Sequence, residues 1–350
     1  MKILFLIVTL ALCFGCSRYE VPEQVGSSGS NATPTTTAIP AASTPKPTQA
    51  PEKIDAALQT ELSKIVEVAK GKVGVGAVLL ETGDTAYLDR NGHYPLQSVY
   101  KLPIAMAVLK MVDAGKLRID QEVSITPADF VRQGFHSPIR NVNPQGTEMN
   151  VYGIMRYSIS ESDGTASDVL LDLAGGPTSV MDYLKSIGVN DLIVADSEKS
   201  ISKDWETQYR NWSTPEASIR LLQGLQTRQA GLSEQMSALI LEFMTQTETG
   251  DRRIKRGLPE GATLAHKTGT GGTEKGITGA TNDIGIVTLP DGRHLLLAVY
   301  VSDSPESGAV REKVMADIAR AVIEKWVPGS YPRDESNKTS ANRNALNSNR

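Results

Sequence analysis

Strand-like runs lie near both ends of the chain's apolar body with a long helical stretch between them, and this limits the fold more than any other feature. Val73 to Leu80 is a β-rich run, followed by a turn at Thr82-Gly83-Asp84 and a second run, Thr85 to Leu88. On the far side, Leu264 to Thr268, Asp283 to Leu289 and Leu295 to Val301 read as strands. The last two are joined by Pro290-Asp291-Gly292, where proline presets the turn and glycine supplies φ freedom. A helical pattern (Ile54, Leu58, Leu62, Ile65, Val66) precedes the first strand, the stretch from about 98 to 250 is mostly helical, and a last helix is expected from about Val310 to Trp326. The expected fold is α+β: an antiparallel sheet flanked by helices, to which both chain ends contribute strands, beside an all-helical lobe.

Composition sets the limits of this body. Residues 17–52 are Ser, Thr, Pro, Ala and Gly with almost no large apolar side chains, so they cannot bury enough surface to fold and read as a disordered tether. Residues 329–350 are polar and Asn-rich and read as a disordered tail, which leaves 53–328 as the folded domain. At the start, Lys2 precedes an apolar run from Ile3 to Phe14 that is too short for a membrane span. The run ends Leu12-Cys13-Phe14-Gly15-Cys16, which resembles a bacterial lipoprotein cleavage box with Cys16 as the lipidated residue. Residues 1–16 are then a signal peptide, and the protein is expected on the periplasmic side of a bacterial membrane, held by a lipid anchor. An ordinary secretory signal is the alternative, and either reading exports the chain.

Several function classes drop out. Lys plus Arg number 36 against 40 Asp plus Glu, interspersed, for a formal net charge of −4, so no basic stripe suggests nucleic acid. Both cysteines, Cys13 and Cys16, precede the body, which therefore has no disulfide or thiol chemistry. His93, His136, His266 and His294 show no metal-ligand spacing, so neither metal nor cofactor is expected. A monomer is expected.

Three short motifs carry the chemistry: Ser98-Val99-Tyr100-Lys101, Ser162-Asp163-Gly164 and Lys267-Thr268-Gly269. Ser-x-x-Lys also occurs at Ser43/Lys46 and Ser200/Lys203, but only Ser98 heads a long apolar helix, Leu102 to Met111. Residues three apart on a helix share a face, so Lys101 can reach the Ser98 hydroxyl, and a helix N-terminus favours a developing anion. A helix cap followed by a surface lysine is the alternative. Ser162 can relay a proton near both lysines, or it can belong to an ordinary turn before the helix Thr165 to Leu173; the motif has a decoy, Ser302-Asp303-Ser304, near a strand end. Lys267 and Thr268 can bind a carboxylate, Gly269 permits close approach to the backbone, and the N–H groups of Thr270 and Ser98 can form an oxyanion hole. A lysine guarding a strand edge is the alternative.

The order and separations of these motifs, with Glu198 between the second and third, resemble the class A β-lactamases of the β-lactamase and penicillin-binding protein superfamily. Gly175-Gly176-Pro177 and the run from Asn282-Asp283-Ile284-Gly285 to Pro290-Asp291-Gly292-Arg293 add to the likeness, which extends from about Leu58 to Trp326. The resemblance implies an α/β lobe and an α lobe with the site between them, and β-lactam hydrolysis through an acyl-serine, giving antibiotic resistance. Ser98 is then the nucleophile, Lys101 its basic partner and Ser162 the proton shuttle. The segment from Ser197-Glu198-Lys199 to Gln208-Tyr209-Arg210-Asn211-Trp212 is similar to the loop of a class A subgroup with a Gln-Tyr-x-Asn-Trp run, which puts Glu198 at the water-activating position. Thr214 and Pro215 then start the next helix. A solvated loop carboxylate is the alternative for Glu198.

Three positions depart from the family pattern. Gly164 stands where an Asn usually contacts the first lysine and the substrate, so substrate positioning is expected to weaken. Ser202 replaces an Asn that helps hold the hydrolytic water, and Asp168 replaces an Asn that steadies the loop, putting a second carboxylate near Glu198. Arg253 matches a substrate-clamping Arg, or is a basic helix end; His136 is a wall of the site mouth, or a surface-loop histidine. The rival functions are a D,D-peptidase acting on peptidoglycan peptides, which needs no Glu198, and a catalytically weak protein that binds β-lactams or wall fragments.

Overall fold

The computed structural model describes residues 51–332. The expected signal peptide with Cys16, the tether up to residue 50 and the tail from residue 333 lie outside the described residues.

A seven-stranded sheet forms the first layer. Its strands are β1 (Lys53–Ile54), β2 (Lys72–Leu79), β3 (Asp84–Leu88), β4 (Thr263–Thr270), β5 (Thr273–Glu274), β6 (Ile277–Thr288) and β7 (His294–Ser304). They run in the order β1-β3-β2-β7-β6-β5, with β4 also paired to β6. Every pairing is antiparallel except β1 with β3. Both chain ends thus meet in one sheet as expected, along the β2–β7 pairing Ala77↔Leu297 and Val75↔Val299.

The sheet is covered on both sides, which explains why its central strands read as nearly unbroken apolar runs. Side chains alternate across a strand, so Leu296, Ala298 and Tyr300 of β7 join the core shared with the helical lobe. Leu295, Leu297, Val299 and Val301 join the opposite core, under α1 (Ala56–Val66) and a C-terminal helix, Gly308–Trp326. The first helix begins later than its apolar pattern suggested. Asp55 caps it by accepting from Leu58 N–H at 2.9 Å, and Ile54 sits before the cap, 62% exposed in β1. The tail expectation from residue 329 also needs correcting: Tyr331 docks on the second core and its hydroxyl donates to Gly257 O.

The helical lobe is built around α2 (Lys101–Asp113), in which every residue from Lys101 to Leu109 is buried. A helix that is apolar on all sides belongs in the centre of a lobe. Pro103 costs it little, because the first-turn N–H groups have no intrahelical acceptor. Around it lie α3 (Val151–Ile159), α4 (Gly164–Leu173), α5 (Gly176–Ser186), α6 (Pro215–Gln226) and α7 (Glu234–Thr245). Thr214 caps α6 with Pro215 in its first turn, as expected. The helical reading of the middle missed a two-stranded ribbon, Glu122–Ile125 with Thr147–Asn150, and a small sheet near Tyr94–Pro95 and Trp212–Ser213.

One contact fixes the two layers where Ser98 is carried. Asn282 of β6, fully buried, donates to Pro95 O at 2.7 Å and Leu96 O at 3.0 Å. Opposite it on β4 is Gly269, where any Cβ would overlap Leu96 O. The missing side chain lets the turn before Ser98 press directly onto the sheet.

Candidate active site

Ser98 lies in a single 3₁₀ turn, Gln97–Tyr100, that runs straight into α2. Gln97 just before it is in the left-handed region at φ 47, a conformation that costs a non-glycine residue roughly 1–3 kcal/mol. Its side chain helps hold it there, with Nε2 donating to Gln208 Oε1 at 2.8 Å. A cleft of about 440 Å³ opens in front of Ser98 and is lined by Lys101, His136, Ser162, Glu198, Thr268 and Thr270, among others. It sits between the edge of β4 and the helical lobe, as expected.

The second motif is held by its aspartate. The buried Asp163 carboxylate caps α4 through Ala166 N–H at 2.8 Å and accepts from Ile139 N–H at 2.7 Å and the Ser137 hydroxyl. With that turn fixed, Ser162 is also in the left-handed region, at φ 62, and turns both its oxygens toward lysines. Lys101 Nζ donates to Ser162 O at 2.7 Å, and Lys267 Nζ donates to Ser162 Oγ at 2.9 Å. The Lys101 ammonium therefore bonds to Ser162 rather than to the Ser98 hydroxyl, with Glu198 Oε2 3.5 Å away. Burial, reinforced by the neighbouring Lys101 charge, pushes the Lys267 ammonium well below its ordinary value, while Asp283 and Glu198 oppose the shift.

The side of the cleft that carries the Lys-Thr-Gly motif follows from β4. Thr268 and Thr249 share a hydroxyl hydrogen bond at 2.5 Å, and Thr249 also lines the cleft. Gly271 N–H bonds Ala280 O, and antiparallel pairing alternates, so the Thr270 N–H points away from β6 toward the open edge. Arg253 is buried beneath, donating to Gly269 O at 3.0 Å, Asn282 O at 2.8 Å and Thr270 Oγ1 at 2.6 Å. It is not the end of a regular helix. It stiffens the Lys-Thr-Gly strand end and reaches the cleft through the Thr270 hydroxyl.

Glu198 opens a short helical turn, Glu198–Ile201, on the loop ahead of α6. Asp168 of α4 accepts from the Glu198 N–H at 2.6 Å and the Lys199 N–H at 3.0 Å. The loop is closed by residues of the Gln-Tyr-x-Asn-Trp run: Asn211, fully buried, accepts from the N–H groups of Ala195 and Asp196 and donates to Asp196 O. The Tyr209 hydroxyl bonds Asp303 at 2.5 Å. The Tyr100 hydroxyl, which sequence reading passed over, donates to Glu198 Oε2 at 2.7 Å. Ser202, which stands where the family usually has an Asn, turns its hydroxyl to Lys199 O at 2.8 Å within its own turn. His136 does line the cleft, its Nε2 2.8 Å from Glu161 O.

Gly164 has a packing reason. A Cβ there would lie 2.9 Å from Glu198 Cγ, 3.2 Å from His136 O and 3.3 Å from Val131 Cγ1. The space over Gly164 is taken by the Glu198 side chain. Gly164→Asn should therefore displace Glu198 and lower hydrolytic turnover by about 10–100-fold. Steady-state rates of parent and variant check this, and a gain on restoring the family's usual residue would overturn it.

Asp168 gives a pH test. Burial pushes its carboxyl up to about 6, the Glu198 charge adds to the rise, and the Lys199 and Glu198 N–H groups and the Lys101 charge oppose it. A carboxyl raised above its ordinary 3.8 contributes stability that is complete below that value and lost as pH rises through about 6. Asp168→Asn is uncharged throughout, so relative to the parent it should gain roughly 2–3 kcal/mol between pH 4 and pH 7, beside a constant loss of one acceptor. Melting curves across that range check the slope. A difference between the two proteins that does not change with pH would sink the account.

The comparisons with known proteins agree with this geometry. A family model described as the β-lactamase enzyme family matches residues 57–326. The β-lactamase VEB-1 of Pseudomonas aeruginosa is 38% identical over 264 residues, covering 75% of this chain and 88% of that protein. The crystal structure of a β-lactamase from Chitinophaga pinensis DSM 2588 superposes with a TM-score of 0.75 at 41% identity, covering 77% of this chain and 99% of that one. A representative class A β-lactamase from Bacteroides cellulosilyticus DSM 14838 superposes with a TM-score of 0.71 at 31% identity, covering 76% and 95%. From the cleft built on Ser98, Ser162 and Lys267 and from these likenesses together, the chain belongs to the β-lactamase enzyme family, among its class A serine members.

Proposed function

We propose that this protein hydrolyses the amide bond of β-lactams through an acyl-serine intermediate and so confers β-lactam resistance. The observation that carries the reading is the placement of a carboxylate, Glu198, on the Ser98 cleft with its Oε2 3.5 Å from the Lys101 ammonium. Acylation needs a group to take the Ser98 proton, and deacylation needs one to take a proton from water. Lys101 and Glu198 form one proton-holding pair that serves both steps. The carbonyl oxygen, as it becomes an oxyanion, is received by the N–H groups of Ser98 and Thr270. Ser162 Oγ passes a proton to the departing lactam nitrogen and recovers the one that the Lys101–Glu198 pair took from Ser98, while Lys267 holds the hydroxyl in place. Lys267, Thr268 and Thr270 hold the substrate carboxylate, with Arg253 holding the Thr270 hydroxyl in place and Gly269 letting the turn before Ser98 pack against the strand.

A D,D-peptidase would need the same three motifs but no base aimed at water. Here the loop that carries Glu198 is fastened by Asp168, Asn211 and Tyr209, which supports hydrolysis over trapping of the acyl group. The loss of the usual Asn at Gly164 would favour a binding-only protein, but the glycine is accounted for by its contact with Glu198. Glu198→Gln should still react with a penicillin and then stall as a covalent adduct visible by intact mass, while the parent clears its adduct once substrate is exhausted. A parent that accumulates the same long-lived adduct would make a penicillin-binding protein the better description.

The N-terminal sequence supports export, with Cys16 as the site of a lipid anchor on the periplasmic side of a bacterial membrane. Cys16→Ser should move the protein from the membrane to the soluble fraction. A parent already soluble on fractionation would favour simple secretion instead.

A further inference from the structure

We infer that Tyr100 is a positioning residue for deacylation: its hydroxyl holds the Glu198 carboxylate in place for the water that attacks the acyl-serine. The inference rests on the reading of Glu198 as the water-activating base. Position 100 is one of the two unspecified places in Ser-x-x-Lys, and the local sequence asks of it only that it fill the core. Tyr100 does so, with no exposed surface, yet a phenylalanine would fill nearly the same space. What the tyrosine adds is the hydroxyl, which donates to Glu198 Oε2 at 2.7 Å.

Among the described residues this is the one hydrogen bond made to the Glu198 carboxylate. Lys101 stands 3.5 Å from the same oxygen, long for a hydrogen bond, and spends its short bond on Ser162 O. Asp168 fixes only the Glu198 backbone. Without Tyr100 the carboxylate would keep the torsional freedom of a long side chain at a cleft wall. The donor is also permanent. Burial first, then the carboxylates of Glu198 and Asp168, push the phenol well above its ordinary value, so it keeps its proton wherever the enzyme works. The carboxylate is thus clamped from two directions: its stem lies against Gly164 and Oε2 is bonded to Tyr100, which leaves Oε1 without a protein donor. Oε1 is the atom to which water can bring its proton.

The test is Tyr100→Phe, which removes one oxygen. Loss of a hydrogen bond to a charged group should slow deacylation by roughly 10–100-fold. Acylation should be slowed much less, because Lys101 remains to take the Ser98 proton and the N–H groups that receive the developing oxyanion are untouched. Adduct formation and decay followed by intact mass after a pulse of penicillin read the two steps separately, and retained acylation shows that the site is folded. In a Glu198→Gln background the same change should slow deacylation by no more than about threefold further, since two residues that act through one group are not additive. The inference is overturned if the parent turns over and Tyr100→Phe clears its adduct at the parental rate. Equal slowing of acylation and deacylation, or an undiminished effect in the Gln background, would also overturn it. A parent that never clears its adduct is a different failure, visible before any Tyr100 variant is made, and it removes the hydrolytic reading along with this one.

Discussion

Two ammonium groups, one from α2 and one from β4, leave water to meet at a single residue. Lys101 takes the carbonyl oxygen of Ser162 and Lys267 takes its hydroxyl, and both lysines are almost wholly buried. Like charges this close in a low-dielectric seam repel, and each carries a desolvation cost of several kcal/mol. The arrangement holds because negative groups are distributed around it, Glu198 on one side and Asp283 on the other. It also requires Ser162 to present two oxygens in different directions, which an ordinary helical or extended backbone would not do here. Hence the left-handed turn at Ser162, and hence the Asp163 carboxylate pinned by three donors from Ser137, Ile139 and Ala166. The sheet, the central helix and the start of α4 are locked to one another by this small group of polar atoms.

The rest of the cleft repeats the same principle, in which a buried polar group fixes backbone that carries a working side chain. Asn282 fixes the turn before Ser98, Arg253 the end of β4, Asn211 the neck of the loop, and Asp168 the backbone of Glu198. None of these four needs to touch substrate. Each satisfies carbonyl or N–H groups that would otherwise be buried without partners, at about 1–3 kcal/mol apiece. The apolar cores on either side of the sheet supply the bulk stability, and this polar layer supplies the geometry.

What could be read from the sequence was what depends on local spacing. Ser98 and Lys101 are one helical turn apart, Thr214-Pro215 is a capping pair, Pro290-Asp291-Gly292 is a turn, and the strands announce themselves by apolar runs. What escaped depends on partners far along the chain. Tyr100 looked like core filling because the oxygen that gives its hydroxyl a role belongs to residue 198. Arg253 could be a clamp or a helix end until its acceptors, carbonyls on β4 and β6, were visible. Ile54 was drawn into α1 by its spacing, although Asp55, a ready capping residue, marks the true start. The short ribbon Glu122–Ile125 with Thr147–Asn150 is too brief and too polar to show a period.

The contact between Gly164 and Glu198 bears on how such a protein can change over generations. A side chain at 164 and the present path of Glu198 compete for one volume, so neither position is free to vary alone. A lineage starting from this sequence could acquire the common asparagine only alongside a shift of the loop, and the first of the two steps would be the harmful one. The effect of a substitution at either residue is conditional on the other, so the order in which changes arrive matters as much as the changes themselves.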